Sequence, residues 1–157
     1  MSEHDHDVQY IRLNESRQSL KVLRELNVLF AEAFDEPETY SRNKPSDDYM
    51  LSLLSKKHII FCAALDGQKV VAGLVGYVLE KFEQERTEVY IYDLAVDREY
   101  RRRQIATNLI GFLKNEAVKA GAWVVFIQAD RQDIPAVKLY ESLGLREDVL
   151  HFDIAIE

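Results

Sequence analysis

The stretch "EVYIYDLAVDREYRRRQIATNLI", residues 88–110, decides the fold because it joins a strand, a turn and the start of a helix. Residues 88–96 are mostly apolar or aromatic and predict a long strand. Residues 97–102 carry most of the charges and predict a turn. A helix from about residue 104 to residue 120 follows, because its apolar side chains keep three-to-four spacing: Ile105, Leu109, Ile110, Leu113 and Ala117.

Three consecutive arginines, Arg101, Arg102 and Arg103, stand where this helix begins. The positive end of a helix dipole favours acidic residues over basic ones. Unpaired backbone N–H groups and guanidinium groups together form a site for a phosphate or a diphosphate. A solvated basic turn that contacts nearby carboxylates is the alternative, and the stretch alone leaves both interpretations open.

The bulk properties of the chain limit the classes of function. We expect residues 1–157 to form a single domain, because the length is typical of one. A net charge of −7 disfavours nucleic acid and anionic membranes as partners and favours cationic small molecules. The sequence shows neither an apolar run of membrane-spanning length nor a signal peptide, and its single cysteine, Cys62, is typical of the reducing cytoplasm.

The remaining segments predict a mixed α/β sheet. Residues 8–13 predict a first strand. Two helices follow it, for which Ser16 and Ser46 are suitable caps, and a loop at residues 35–45 separates them. Residues 59–65 and 69–79 predict a hairpin. Residues 122–129 predict an apolar strand covered on both faces, and Pro135 opens a helix that ends at Gly144. Residues 148–156 alternate and predict a final strand.

The residues "DLAV" followed by "RRRQIA" resemble the acetyl-CoA loop of the GCN5-related N-acetyltransferase (GNAT) superfamily. That loop has the pattern Arg or Gln, two residues, Gly, one residue, and Gly or Ala. Arg101 fills the first position and Ala106 the last, whereas Gln104 replaces the glycine. Five longer stretches resemble the aminoglycoside 3-N-acetyltransferases of that superfamily: "YSRNKPSDDYM", "KFEQERTEVYIYDLAV", "FIQAD", "AVKLYESLGLRED" and "HFDI".

The resemblance implies a GNAT fold, with a mixed central sheet that splays between the strands ending near Val96 and Asp130 and about four flanking helices. It also implies acetyl-CoA as co-substrate, with its pantetheine arm on strand backbone and its diphosphate on loop N–H groups. We expect Gln104 to have ordinary helical angles, because a positive φ costs ~1–2 kcal/mol outside glycine. The implied cofactor-binding residues are Leu94, Ala95, Val96, Arg101, Arg102, Arg103, Gln104, Ile105, Ala106 and Thr107.

Acetyl transfer needs a neutral amine, donors for an oxyanion and a proton for the departing thiolate. Asp93 is the first candidate for the base, because it is the only charge in the centre of its strand; the alternative is that it only orients the substrate. Glu88 is the second candidate for the base, acting through water molecules. The alternative is that Glu88 is only a solvated charge at the end of the strand. Tyr140 matches a tyrosine that members of the superfamily often direct at the sulfur of CoA. The alternative is that Tyr140 is only a half-buried aromatic side chain on an amphipathic helix. The N–H of Leu94 is a candidate oxyanion donor.

The implied reaction is transfer of acetyl to the 3-amino group of the deoxystreptamine ring of aminoglycosides, by direct attack of the amine on the thioester. Acidic stretches at residues 32–39 and 80–88 would attract such a polycation. Beside Asp93, we expect substrate contacts from Tyr40, Asp130 and Asp153, and no metal ion. Alternatives are acetylation of another polyamine or a basic peptide, or a weakly catalytic acetyl-CoA-binding module. Dimers are common in the superfamily, and the sequence alone does not decide whether this chain forms a homodimer.

Overall fold

Five strands form one open sheet in the order β1-β2-β3-β4-β5 in the computed structural model, which describes residues 7–156. Neighbouring strands from β1 to β4 are antiparallel, whereas β5 runs parallel to β4. The predicted mixed sheet is therefore confirmed. The strands are β1 (Gln9–Arg12), β2 (Ile59–Asp66), β3 (Lys69–Lys81), β4 (Arg86–Val96) and β5 (Ala122–Ile127).

Four α-helices flank the sheet, and two of them begin at the predicted serine caps. Ser16 Oγ accepts a hydrogen bond from the N–H of Ser19, and Ser46 Oγ accepts one from the N–H of Tyr49. The predicted loop at 35–45 contains a π-helical turn, and a 3₁₀ turn follows β4. The helices are α1 (Arg17–Phe34), α2 (Asp47–Leu54), α3 (Ile105–Lys119) and α4 (Ile134–Leu143), with the π-helical turn at Glu38–Arg42 and the 3₁₀ turn at Arg98–Tyr100. None of the helices within residues 7–156 combines the length and apolar character needed to cross a bilayer.

Apolar side chains form one cluster on each face of the sheet. The α1 face carries α1 and α2, and its buried residues include Leu26, Phe30, Met50, Phe61 and Val75. The α3 face carries α3, whose predicted apolar stripe is buried against residues of β2, β3 and β4. Because helices cover both faces, β2 and the first half of β3 are nearly continuous apolar runs.

The sheet splays between its last two strands, β4 and β5. Their ladder ends at the pair Ile91 and Ile127, although β4 continues as far as Val96. We call the resulting opening the β4–β5 gap. It agrees with the splayed sheet that the resemblance implies, and it leaves one edge of the second half of β4 without a strand partner in the described residues.

Two predictions for the C-terminal part of the chain are wrong. Residues 148–156 form neither helix nor strand, because a strand requires a backbone partner and these residues pair with no strand in the described part of the chain. The side chains of this segment are exposed instead. As a result, β5 lies at the edge of the sheet. The strand is also not fully covered on both faces, because its Trp123 is 58% exposed.

Candidate active site

A β-bulge in β4 directs Asp93 to the α1 face of the sheet. The pairing with β3 continues on both sides of Tyr92 but leaves Tyr92 itself unpaired. Before the bulge, Val89 and Ile91 belong to the cluster on the α3 face, and after it Ala95 belongs to the cluster on the α1 face. Without the extra residue, strand alternation would carry Asp93 into the apolar core on the α3 face.

Tyr40 contacts Asp93 from the π-helical turn between α1 and α2. Its hydroxyl donates a hydrogen bond to Asp93 Oδ1 at 2.7 Å. The Tyr40 ring packs against both Phe30 and Phe34, with ring centroids 6.0 and 5.8 Å away, and this packing fixes the hydroxyl. The structure therefore brings together two of the residues predicted for the site, with Tyr40 as a partner of the carboxylate.

Burial raises the pKa of Asp93 above its ordinary value, the Tyr40 hydrogen bond lowers it in part, and the nearby Glu36 raises it further. A carboxylate whose pKa is raised accepts a proton more readily. The pKa of Tyr40 is also raised, by burial first and then by its hydrogen bond to Asp93, so the phenol stays protonated as a donor. Glu36 adds negative potential near the carboxylate, which favours a cationic ligand.

Aromatic side chains line the sheet next to Asp93. The ring of Tyr92 lies 6.1 Å from Tyr77 on β3 and 5.6 Å from Tyr90, measured between centroids. Phe126 of β5 stacks on Tyr90 at 4.9 Å, with 9° between the planes. Such rings combine apolar area with hydroxyl groups, so this wall suits a polar ligand built of rings.

The backbone of β4 offers free polar groups to the β4–β5 gap. The N–H of Asp97 donates to the carbonyl of Val71 on β3 at 2.8 Å. Because peptide groups alternate in direction along a strand, Leu94 and Val96 direct theirs away from β3 and toward the gap. Ala95 faces the opposite way, and its side chain is buried on the α1 face.

Contacts with the β2–β3 turn anchor the loop that follows β4. Lys69 Nζ lies 3.0 Å from Asp97 Oδ2, and the Tyr100 hydroxyl donates to Asp66 Oδ2 at 2.8 Å. Asp97 Oδ1 also accepts from the N–H of Glu99 at 3.0 Å. The start of the loop is thus fixed before the chain reaches the three arginines.

Gln104 has left-handed angles, φ 59° and ψ 13°, so the expectation of helical angles is wrong. Arg102 is left-handed too, with φ 62°. The chain must turn from extended Arg101 into α3, and this turn imposes the backbone that glycine would adopt most easily. The left-handed Gln104 next to the right-handed Ile105 directs successive N–H groups to one side, an arrangement that binds anions.

The start of α3 combines unpaired N–H groups with three exposed arginines. The first N–H groups of an α-helix have no intrahelical acceptor, and the Gln104 side chain does not cap them. Arg101 Nε donates to the carbonyl of Val96 at 3.3 Å, and the guanidinium of Arg103 lies 5.0 Å from the ring centre of Tyr100. Within residues 7–156 none of the three arginines forms a salt bridge. Their charges therefore favour an added anion over nearby carboxylates.

Tyr140 lies on the face of the sheet opposite to Asp93. It lies on α4 and packs against the cluster on the α3 face, to which Leu94 and Val96 also pack. Burial, with a smaller contribution from Asp133, raises the pKa of Tyr140 to about 12, so the hydroxyl is protonated at neutral pH. The carboxylate of Asp93 and the protonated phenol of Tyr140 thus lie on opposite faces of the sheet.

Glu88 lies at the start of β4, away from Asp93. Five residues separate them, which is roughly 15 Å of strand. Glu88 Oε1 accepts a hydrogen bond from Trp123 Nε1 at 3.2 Å, and Lys81 Nζ lies 4.0 Å away. The structure brings Glu88 into contact with these two side chains and not with Asp93.

Asp130 and Asp153 lie beyond the end of β5, and both are exposed. Asp130 lines an open cavity of about 600 Å³ together with the next three residues of the β5–α4 loop. Asp153 Oδ1 lies 2.9 Å from His151 Nε2. Neither residue contacts Asp93 or Tyr40 within the described chain, so the structure does not join them to the tyrosine-lined carboxylate.

A model of the acetyltransferase (GNAT) family matches residues 23–145, the region that contains β4, the β4–β5 gap, the arginine loop and α3. The chain belongs to the GNAT acetyltransferase family. A comparison of this GNAT acetyltransferase with the curated proteins gives no significant match.

Two solved aminoglycoside acetyltransferases resemble this GNAT acetyltransferase in sequence and fold, both from uncultured soil metagenomic samples. One is 45% identical with a TM-score of 0.92, and the match covers 96% of this chain and 99% of that chain. The other, in complex with sisomicin, is 31% identical with a TM-score of 0.88, and the match covers 98% and 99% of the two chains. A ribosomal-protein-alanine N-acetyltransferase from Brucella melitensis shares the fold at 21% identity and a TM-score of 0.74, with 96% and 100% covered.

GNAT acetyltransferases use acetyl-CoA, and the residues of this chain fit that group. The free N–H groups at the start of α3 and the exposed Arg101, Arg102 and Arg103 suit a diphosphate. The N–H groups of Leu94 and Val96, which face the β4–β5 gap, suit an arm that contains amides. No group of three or more His, Cys, Asp or Glu side chains in the described part of the chain could hold a metal ion.

Sequence reasoning missed most of the aromatic wall beside Asp93. A signal for it exists in "YIYD", where Tyr90 and Tyr92 alternate with an apolar residue immediately before the carboxylate. Tyr77 and Phe126 come from other strands, and the pairing registers that align them with Tyr90 are not visible in the sequence.

Proposed function

We propose that this acetyltransferase transfers the acetyl group of acetyl-CoA to the 3-amino group of the deoxystreptamine ring of aminoglycosides and so acts as an antibiotic-resistance enzyme. The observation that carries the proposal is Asp93, a half-buried carboxylate of raised pKa held by Tyr40 within a tyrosine wall. The two soil aminoglycoside acetyltransferases, one in complex with sisomicin, support the substrate class. The assignment of the 3-amino group as the acceptor rests on the five stretches of sequence that resemble the 3-N-acetyltransferases.

Negative potential and aromatic surface select the substrate. An aminoglycoside carries several ammonium groups on linked rings, and the net charge of −7 and the Glu36 and Asp93 pair attract such a cation. The rings of Tyr90 and Tyr92 supply apolar contact for the sugar faces. Asp130 and Asp153 add carboxylates near the end of β5 that bind the outer amines.

Asp93 acts as the base. An ammonium group has no lone pair, so the carboxylate must accept a proton from it, directly or through one water molecule. The hydrogen bond from Tyr40 holds Oδ1 and leaves Oδ2 for the substrate. Glu88 is the second candidate, but the roughly 15 Å of strand between the two residues would require a chain of water molecules.

The β4–β5 gap positions the other participants. Acetyl-CoA, when bound, supplies a thioester that the neutral amine attacks directly. The N–H of Leu94 faces the gap and is the donor for the oxyanion. Tyr140 keeps its proton at neutral pH and provides it to the departing thiolate. Arg101, Arg102 and Arg103 hold the diphosphate with the N–H groups at the start of α3, including those of Gln104, Ile105, Ala106 and Thr107.

We place this reaction in the cytoplasm, where acetyl-CoA is available and the fully buried Cys62 remains a thiol. Acetylation of another polyamine or of a basic peptide is the second candidate function, because the same acidic surface attracts these cations too. A weakly catalytic acetyl-CoA-binding module is the third. The strained, non-glycine Gln104 in the loop favours that module, whereas Asp93 and Tyr140 favour catalysis.

The test is to incubate the protein with acetyl-CoA and sisomicin and to locate the acetyl group on the product by NMR. We expect one acetyl group on the 3-amino nitrogen, with one CoA released per product. An acetyl group on another amine would reject the regiochemistry, and no CoA release above the background without sisomicin would reject the substrate class.

A further inference from the structure

The ring of Tyr100, in the 3₁₀ turn between β4 and the three arginines, contacts two cations. Lys69 Nζ lies 4.8 Å from the ring centre, and the guanidinium of Arg103 lies 5.0 Å from it. Both distances are within the ~6 Å over which the face of an aromatic ring attracts a cation. The Tyr100 ring therefore stabilises two positive charges just before α3 begins.

Carboxylates neutralise only one of these two cations. Lys69 Nζ lies 3.0 Å from Asp97 Oδ2 and 3.5 Å from Glu99 Oε2, and the hydrogen bond to Asp97 raises the pKa of Lys69 above its usual value. Arg103 forms no salt bridge within residues 7–156. Its charge is therefore held beside an aromatic ring and remains available to an anion that binds from solution.

The Tyr100 ring is itself fixed by contacts that do not involve the arginines. Its hydroxyl donates a hydrogen bond to Oδ2 of Asp66, the last residue of β2, at 2.8 Å. Its N–H donates to the carbonyl of Asp97 at 2.9 Å, and the N–H of Asp97 donates to the carbonyl of Val71 on β3 at 2.8 Å. The side chain and the backbone of Tyr100 are thus both attached to the hairpin formed by β2 and β3.

A ring face can hold a guanidinium group without occupying its hydrogen-bond donors. The attraction acts on the positive charge, so the planar set of five N–H donors stays available to phosphate oxygens. A side chain that is ordered before its ligand arrives also loses less rotamer entropy on binding. Arg101 differs from Arg103 in this respect, because its Nε already donates to the carbonyl of Val96 at 3.3 Å.

We propose that Tyr100 is a positioning residue that holds the guanidinium of Arg103 at the start of α3 for the diphosphate of acetyl-CoA. This inference rests on the part of the proposed function that assigns the diphosphate to the loop before α3. It gives the consecutive arginines different tasks, with Arg103 binding from a position that the ring sets in advance. Through Asp66 and Tyr100, the hairpin of β2 and β3 contributes to cofactor affinity by way of Arg103.

A double-mutant cycle on CoA binding tests this coupling, with Kd measured by titration calorimetry. Arg103→Ala removes the guanidinium and should raise Kd about tenfold. Tyr100→Leu removes the ring and should raise Kd about three- to fivefold while Arg103 is present. In the Arg103→Ala background, the same Tyr100→Leu change should alter Kd by less than about 1.5-fold, because the residue through which Tyr100 acts is gone.

Two controls separate the positioning of Arg103 from a general effect on the loop. Tyr100→Phe keeps the ring and should hold Kd within about twofold of the wild type. In an Arg101→Ala background, Tyr100→Leu should still raise Kd about three- to fivefold, because Arg101 contacts the Val96 carbonyl and not the ring. Thermal unfolding without CoA shows that each variant is folded before its affinity is compared.

Dephospho-CoA, which keeps the diphosphate and lacks the 3′-phosphate, identifies the group that Arg103 contacts. We expect Arg103→Ala to weaken the binding of CoA and of dephospho-CoA by the same factor, and a loss confined to CoA would overturn the assignment to the diphosphate. Additive losses in the cycle would overturn the positioning by Tyr100 and leave the proposed cofactor intact. A wild type that binds neither compound would overturn both.

Discussion

Replacing Gln104 by glycine should stabilise the protein, because Gln104 holds a left-handed backbone, φ 59°, at the start of α3. A side chain in that conformation costs ~1–2 kcal/mol. Glycine removes this strain but adds ~0.5–1 kcal/mol of conformational entropy to the unfolded chain. The difference is an increase of about 0.5–1 kcal/mol in the free energy of unfolding. For a chain of 157 residues, this raises Tm by about 1–4 °C.

Thermal and urea unfolding without acetyl-CoA measure this change, with Gln104→Ala as the matched control. Alanine removes the long side chain but keeps the Cβ, so the strain should remain and no stabilisation should follow. Titration calorimetry should give the same acetyl-CoA affinity for Gln104→Gly and wild type within about twofold, because the backbone N–H is unchanged. Equal stabilisation by glycine and alanine, or destabilisation by glycine, would refute the strain at this position.

Three further substitutions test the site and its support. Asp93→Asn should lower kcat/KM by about 10²–10⁴-fold with unchanged acetyl-CoA affinity. It should also raise stability at neutral pH: burial raises the pKa of Asp93, so the wild type loses stability as pH rises through that pKa, and the difference should shrink as pH falls toward about 4. Tyr40→Phe removes the hydrogen bond that lowers the pKa of Asp93, so the acidic limb of the kcat/KM profile should move to higher pH. Gly73→Ala should destabilise the fold by about 1–3 kcal/mol, because the new Cβ would lie 2.1 Å from Leu26 Cδ2 in the core.

Each of these predictions has its own check. Tyr77→Phe removes a neighbouring hydroxyl that Asp93 does not use within the described contacts, so its pH profile should match the wild type. A Tyr40→Phe profile without a shift would show that the hydrogen bond does not set the pKa of Asp93. Gly111→Ala, inside α3 with no atom within 4 Å of the new Cβ, should be stabilising by about 0.5–1 kcal/mol. An unchanged stability of Asp93→Asn at neutral pH would contradict the desolvation of the carboxylate.

Local patterns predicted the elements whose stability is local. Three-to-four spacing identified α1 and α3, and the caps Ser16 and Ser46 were found because a hydroxyl before an apolar run contacts an N–H only three residues away. The order of those elements predicted the mixed sheet, whereas its splay was implied only by the resemblance to the GNAT superfamily. The helices and their caps require no knowledge of distant contacts.

Features that depend on distant contacts could not be read in the same way. The direction of Asp93 depends on the bulge at Tyr92, which exists only in the pairing with β3. Its contact with Tyr40 spans 53 residues. The backbone of Gln104 is left-handed because the loop must join two fixed elements. The residue type, glutamine, did not indicate this conformation. Residues 148–156 have the alternating pattern of a strand. A strand forms only when it pairs with another strand, and within the described chain these residues pair with none.

Steady-state kinetics with a panel of amines measures whether the protein is an aminoglycoside acetyltransferase that depends on Asp93. Wild type and Asp93→Asn are compared on sisomicin, a gentamicin-type aminoglycoside, spermidine and a basic peptide, with acetyl-CoA saturating. We expect the aminoglycosides to have the highest kcat/KM and their turnover to require Asp93. Efficient acetylation of the peptide without turnover of either aminoglycoside would contradict it.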